Sequence, residues 1–206
     1  MFLNKLSLRK LRNIKEANLT LNRRTNVIVG ENAAGKTTIL EAIDVLSRGR
    51  SFRTNKIENL LNNGSGSLYV GATVGKKKRK LEIEKEKGKT RILIDDKEEK
   101  KQSVIAEELA VQSIHPNSHN IIEGTPSERR VFLDWGLFHV EQDFKRAWSN
   151  YTKILKQRNE ALKLRDQSEA TWLKKLAPAG ELISSMREGY LKGLQQHLEE
   201  VGRYIM

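Results

Sequence analysis

Gly30-Glu31-Asn32-Ala33-Ala34-Gly35-Lys36-Thr37 fills every fixed position of the pattern G-x-x-x-x-G-K-[ST]. The chemistry this spacing serves is the holding of a nucleoside triphosphate. Backbone N–H groups converge on phosphate oxygens only where side chains leave them room, and Gly30 and Gly35 supply that room. Lys36 is spaced to reach the β- and γ-phosphates and Thr37 to offer its hydroxyl to Mg²⁺, while a helix starting there adds its positive end. A chance glycine-containing turn is the alternative. The flanks argue against it, because apolar Val27-Ile28-Val29 precedes the loop and Thr38-Ile39-Leu40-Glu41-Ala42-Ile43 follows it, a strand, loop and helix setting.

The elements that must position this loop are legible on both sides. Leu3, Leu6, Leu8 and Leu11, then Asn18-Leu19-Thr20-Leu21, alternate as two short strands, and Val27-Ile28-Val29 reads as the strand feeding the loop. The loop helix carries Ile39, Leu40, Ile43 and Leu46 on one face and is expected to end near residue 48, with Gly49 as its stop. After the loop 62–67, Leu68-Tyr69-Val70, Leu81-Glu82-Ile83-Glu84 and Ile92-Leu93-Ile94 alternate with charges, the pattern of an antiparallel meander with one wet face. A short helix and a strand are expected between Val104 and Ile114. Thr125-Pro126-Ser127-Glu128 combines an N-cap, a Pro at the first helical position and a Glu three residues after the cap, so a helix starts there. Beyond it, two apolar stripes predict two long amphipathic helices packed as an antiparallel pair: Phe144, Trp148, Tyr151, Leu155 and Leu162, then Leu182, Met186, Tyr190, Leu194, Leu198, Val201 and Ile205. The break between them is expected near Pro178-Ala179-Gly180.

Composition bounds what surrounds this site. The chain has 206 residues, 38 Lys+Arg against 26 Asp+Glu and a formal charge of +12. That length suffices for one or two domains with real cores. The absence of cysteine excludes disulfides, thiolate metal sites and Cys nucleophiles, and accords with a cytoplasmic location. No apolar stretch approaches a membrane span and the first residues carry no signal-peptide core. The positive charge concentrates in Lys76-Lys77-Lys78-Arg79-Lys80, then Lys85, Lys87, Lys89 and Arg91, then Lys97, Lys100 and Lys101. This density favours a nucleic-acid-binding face over plain solvated hairpins, with Lys76 to Lys80 as its first candidates.

Several separate stretches resemble the RecF family of bacterial recombinational repair proteins. They are Leu8-Arg9-Lys10-Leu11-Arg12-Asn13, the phosphate loop continued through Leu40-Glu41-Ala42-Ile43 to Gly49-Arg50-Ser51-Phe52-Arg53, and Glu123-Gly124-Thr125-Pro126-Ser127-Glu128-Arg129-Arg130-Val131-Phe132-Leu133-Asp134-Trp135-Gly136-Leu137-Phe138-His139. Trp148-Ser149-Asn150-Tyr151 and Leu155-Lys156-Gln157-Arg158-Asn159-Glu160-Ala161-Leu162 extend it, and it fades after about residue 165. The resemblance implies an α/β phosphate-loop ATPase head of the ABC type, with an antiparallel meander and a helical second lobe. It divides the chain into an ATP-binding lobe at 1–115 and a helical lobe at 116–206. Implied cofactors are ATP and Mg²⁺. Implied partners are double-stranded DNA and gap junctions, RecO and RecR in loading the recombinase, and a second copy in an ATP-dependent homodimer. By position, Arg12 and Asn13 would lie near the adenine and ribose, and Gly30, Glu31, Asn32, Ala33, Ala34, Gly35, Lys36, Thr37 and Thr38 would hold phosphates and Mg²⁺. Gln112 is the candidate for the Gln that joins the lobes and senses Mg²⁺ and the attacking water, an ordinary strand-end Gln being the alternative.

The family pattern continues with a signature sequence and an acidic strand for Mg²⁺ and water activation, and neither is found here. Ile92-Leu93-Ile94-Asp95-Asp96 is read instead as a half-buried strand entering a hairpin turn. With the chain stopping inside an apolar stripe at Tyr204-Ile205-Met206, an N-terminal portion of a longer protein is expected, with an exposed sheet edge and no appreciable hydrolysis of its own. Other readings are a small-molecule kinase or GTPase, for which Asn55-Lys56-Ile57-Glu58 is only a near match to the guanine-specific motif, and a nucleotide-switched interaction module without hydrolysis. His115, His119 and Glu123 have suggestive metal-ligand spacing, but Pro116 interrupts any helix that would align them. Arg129-Arg130 is read as forming surface ion pairs, contact with nucleotide, a partner or DNA being the alternative, and His139 and His197 as helix-surface residues.

Overall fold

A computed structural model of the chain describes residues 2–165 and 168–205; Met206, read above at the end of the apolar stripe, lies outside them, as do Met1 and residues 166 and 167. The described residues form two compact units, 1–114 and 115–206.

The first unit is built on one antiparallel sheet in the order β2-β1-β3-β4-β5-β6. Its strands are β1 (Leu3–Leu11), β2 (Ile14–Thr20), β3 (Ser67–Val74), β4 (Arg79–Glu86), β5 (Lys89–Ile94) and β6 (Lys97–Glu99). Period-two alternation sorts each strand onto two faces. Leu6, Leu8, Val70, Ala72, Leu81, Ile83, Ile92 and Ile94 share the inner face. Helix α1 (Lys36–Arg48) lays Ala42, Val45 and Leu46 on it, and α2 (Ser103–Glu108) adds Ile105. Burial of these aliphatic side chains is the main force holding the unit together.

The meander is as the alternation predicts, and Asp95-Asp96 is a turn, both residues left-handed at φ 49° and 65°. The end of α1 also agrees: Gly49, at φ 71°, donates its N–H to the Val45 carbonyl. Two expected strands are absent. Val27-Ile28-Val29 is not a strand, and Val27 and Val29 are 79% and 83% exposed. An all-apolar strand of that kind needs neighbours on both sides and cover on both faces. Among the described residues six strands pair with one another, and none lies beside 27–29 to complete a ladder. After α2, residues 109–114 are likewise irregular, because they spend their polar groups on α1: Ser47 donates to the Leu109 carbonyl and Arg48 to that of Val111.

The second unit is helical, with α3 (Asn120–Glu123), α4 (Pro126–Val140), α5 (Phe144–Leu164) and α6 (Glu169–Ile205). Thr125 and Glu128 close a capping box at the start of α4. Leu137, Phe144 and Ile183 form its core, with Trp148, Tyr151, Met186 and Tyr190 around them. α5 and α6 are the expected antiparallel pair, since Arg158 meets Glu169 at one end while Trp148 faces Arg187 at the other. The break between them, however, lies before Glu169, where α6 begins, and not at Pro178. Arg165 adopts a left-handed conformation that ends α5, whereas Pro178 sits inside α6. A proline removes one helical hydrogen bond, and packing of the neighbouring Ala179 and Ile183 against the unit carries the helix through it. Among the described residues no helix is long and apolar enough to cross a membrane.

Candidate nucleotide-phosphate site

Loop 30–37 enters α1 through backbone conformations of the kind that build anion-binding nests, with the Ala34 N–H donating to the Glu31 carbonyl at 3.2 Å. Gly30, Ala33 and Gly35 have φ of 154°, 64° and 99°. Gly35 is the N-cap of α1, no acidic residue lies in the first turn, and so the helix end keeps its positive character. The Lys36 ammonium donates to the carbonyls of Gly30 and Glu31, both at 2.7 Å, and stands across the loop. Thr37 is exposed, and Thr38 is buried.

The loop is fastened from one side by the β1–β2 turn. Asn13 donates from Nδ2 to the Ala33 carbonyl at 2.7 Å, and its Oδ1 accepts from the Thr38 hydroxyl at 3.1 Å. A Cβ on Gly35 would lie 3.1 Å from Ile14 and 3.3 Å from Asn13, so the turn presses on the loop where only glycine fits. Arg12 is turned away, gripping Glu41 of α1 through Nε to Oε2 at 2.5 Å and Nη2 to Oε1 at 2.6 Å. Glu41 is fully buried, and it also accepts from the Ser51 hydroxyl and faces Arg53 at 3.9 Å. Glu41, Ser51 and Arg53 escaped the sequence reading as parts of the site. The signal was a charged residue on the helix face that also carries Ala42 and Val45, which demands a partner when buried.

Gln112 is exposed, its Nε2 3.4 Å from the Ser113 carbonyl, and it is Ser113 that reaches α1, donating to Asp44 at 3.1 Å. The basic cluster lies at the other end of the sheet. Leu3 pairs with Val74 and Leu11 bridges to Leu61, so the 75–78 turn and the Arg12 turn are separated by the length of β1, about 26 Å at 3.3 Å per residue. Lys76, Lys77 and Lys78 are all exposed in that turn, with no carboxylate partner among the described residues. Arg79 and Lys80 are not free in this way. Arg79 pairs with Asp95 at 3.0 Å and with Glu108, and Lys80 with Asp96 at 2.7 Å and Glu82 at 2.9 Å. The hydrogen bond to Asp95 holds Arg79 above its ordinary pKa, and bonds from the Lys80 amide and Arg79 hold Asp95 below the usual carboxylate range.

Lys85 shares the inner-face parity of Leu81 and Ile83, donates to the Gly49 carbonyl at the end of α1, and has its pKa lowered by burial. It is a helix cap rather than part of a wet basic face. Arg129 likewise donates to the carbonyls of Gly124 and Ile122 rather than forming a surface ion pair, and His139 packs edge-on against Trp135 at 4.5 Å.

An α/β unit with a phosphate loop opening its first helix, an antiparallel meander and a helical second unit with a long antiparallel helix pair define a phosphate-loop ATPase head. The chain belongs to the AAA ATPase domain family, whose model matches residues 1–185. The RecF resemblance drawn from the motifs extends over nearly the whole chain. It is 38% identical over 203 residues to the DNA replication and repair protein RecF of Hydrogenovibrio crunogenus, covering 97% of this chain and 56% of that relative. It is 36% identical over 211 residues to that of Escherichia coli O1:K1, covering 100% and 59%. A solved structure described as the recombination mediator protein RecF with ATP in the RecFOR pathway matches with a TM-score of 0.84 and 28% identity, over 95% of this chain and 55% of that one. The chain thus spans a little over half the length of the relatives it matches.

Proposed function

We propose that this chain binds ATP with Mg²⁺ at residues 30–38 and is the nucleotide-holding part of a RecF-type DNA replication and repair ATPase. The observation that carries this reading is the loop itself, with Ala33 and Gly35 at positive φ and Lys36 bonded across it to the carbonyls of Gly30 and Glu31 at the start of α1. Lys36 would meet the β- and γ-phosphates, Thr37 would hold Mg²⁺, and Arg12 and Asn13 border the site on the side assigned to adenine and ribose. Bound Mg²⁺ neutralises charge on the phosphates. The residues of this chain hold and orient the triphosphate.

Phosphoryl transfer also requires a carboxylate on the metal and an oriented water. Asp95 and Asp96, the acidic pair nearest to that pattern, are tied to Arg79 and Lys80 at the far end of the sheet. We therefore read the chain as binding nucleotide without multiple turnover, with Gln112 as the residue that would sense Mg²⁺ and water. In a full-length protein of the RecF type, nucleotide binding would drive dimerisation on double-stranded DNA at gap junctions, with RecO and RecR then loading the recombinase in the cytoplasm. The similarity to RecF proteins supports this reading.

A second reading, a nucleotide-switched module that binds DNA or a repair partner without hydrolysis, is favoured by the exposed Leu191, Leu198, Val201 and Ile205 along α6. Titration with a fluorescent ATP analogue and Mg²⁺, with Lys36→Ala and GTP competition alongside, tests the nucleotide site. Saturable, adenine-selective binding lost in Lys36→Ala is expected, and equal binding by both chains would sink the reading. Duplex binding with and without ATP separates the switched module from a passive DNA-binding surface.

A further inference from the structure

We infer that Glu41 is a positioning residue for the phosphate loop, acting through Arg12 and Asn13, and that these two serve the nucleotide by holding the loop rather than by touching the ligand. The inference rests on the reading that loop 30–38 binds nucleotide, and it revises the roles assigned there to Arg12 and Asn13.

Ala33 is the weak point of the loop. A residue with a Cβ at φ 64° pays roughly 1 kcal/mol or more relative to a right-handed conformation, and it stays there only if its surroundings hold it. What holds its carbonyl is the Asn13 amide at 2.7 Å, and Asn13 is itself oriented by the Thr38 hydroxyl. Asn13 lies in a two-residue turn, so its aim depends on Arg12. Arg12 is fixed at both polar groups of its main chain and at two nitrogens of its head: its N–H donates to the Leu60 carbonyl at 2.7 Å, its carbonyl accepts from Asn62 at 2.5 Å, and its guanidinium grips Glu41 at two points.

Glu41 closes the frame. It lies on α1, one turn after Lys36 and Thr37, and is the buried carboxylate on which Arg12, Ser51 and Arg53 converge. A two-point guanidinium–carboxylate pair fixes orientation as well as distance. The helix that presents Lys36 and Thr37 is thereby locked in register with the turn that holds Ala33. With Nε and Nη2 both committed to Glu41, the guanidinium plane is held against α1, which is why Arg12 is assigned to positioning.

The test uses the whole 206-residue chain and two variants, Glu41→Gln and Asn13→Asp. The first removes the charge and keeps the shape; the second, at an exposed position, replaces the donor facing Ala33 by an acceptor and folds even if the first does not. Amide hydrogen exchange at Ala34 and Ile39, measured without nucleotide, reports the loop directly. Binding of a fluorescent ATP analogue with Mg²⁺ reports the consequence. Both variants should quicken exchange at these amides about tenfold, leave β3 and β4 protected as before, and weaken the analogue about tenfold, since each such factor is about 1.4 kcal/mol. Unchanged exchange across 30–39 overturns the role, as does exchange that quickens equally in β3 and β4, the mark of a merely structural residue. If the unmodified chain and Lys36→Ala bind the analogue alike, the nucleotide reading fails, and exchange alone decides whether Glu41 positions the loop.

Discussion

Arg187 of α6 grips Asp134 of α4 at two points, Nε to Oδ1 at 2.7 Å and Nη2 to Oδ2 at 2.9 Å, while its guanidinium faces the Trp148 ring of α5 at 5.7 Å. One side chain thus ties together three helices of the second unit. The pair is about four-fifths buried on both sides, so neither partner can be lost without stranding the other. Asp134→Ala should lower the stability of that unit by about 2 kcal/mol, and Arg187→Lys by about half as much because lysine lacks the planar fork. Chemical denaturation followed by tryptophan fluorescence checks both, and a double variant no worse than Asp134→Ala would confirm their coupling.

Tyr69 crosses Gly71 on the outer face of the sheet to donate to Glu82 at 2.6 Å, with Arg9 over its ring. Burial and the Glu82 bond push its pKa up to about 12. The neutral phenol is the form the fold favours. Its contribution is therefore complete below pH 10, the unfolded value, and is lost as pH rises through about 12. Absorbance titration should find one of the four tyrosines ionising late. A Cβ on Gly71 would lie 2.3 Å from the Tyr69 hydroxyl, so Gly71→Ala should lift the ring and return that step toward pH 10. A late step that survives Gly71→Ala but vanishes in Tyr69→Phe would show that the ring reaches Glu82 by another path.

Gly35→Ala should damage the phosphate loop differently from Lys36→Ala. The added Cβ meets Ile14 and Asn13 at a φ of 99°, which costs about 1 to 2 kcal/mol of stability, whereas Lys36 is a solvent-side donor. Both variants should lose nucleotide binding. Only Gly35→Ala should also lower the unfolding midpoint.

The turn 75–78 gives the DNA proposal a quantitative form. Replacing Lys76, Lys77 and Lys78 with alanine should reduce the slope of log affinity against log salt by about 2.7, at 0.9 per phosphate contact. Lys80→Ala should change it less, because that ammonium is already shared between Asp96 and Glu82. A slope unaffected by the triple replacement would remove this turn from the nucleic-acid face.

The features legible in the residues are those decided within a few positions. The loop from Gly30 to Thr37, the Gly49 stop, the Thr125–Glu128 capping box and the Asp95-Asp96 turn all depend on backbone freedom or on bonds between near neighbours. Strand alternation from 68 to 94 was legible for the same reason. Where the reading failed, the deciding partner was distant. Val27-Ile28-Val29 has a strand's composition but no neighbouring strand to pair with, and Pro178 reads as a break until the packing around Ala179 and Ile183 is known.

The sequence by itself determined that a phosphate-binding loop opens a helix, that an alternating meander follows, and that amphipathic helices close the chain, because short-range geometry and periodicity settle such things. Only the tertiary structure decided how the charges are used. It buries Glu41 under Arg12, turns Lys85 inward as a cap, ties Arg79 and Lys80 to carboxylates and leaves Lys76 to Lys78 to solvent. A charged side chain takes its role from the partner that folding brings to it, and that partner lies anywhere along the chain.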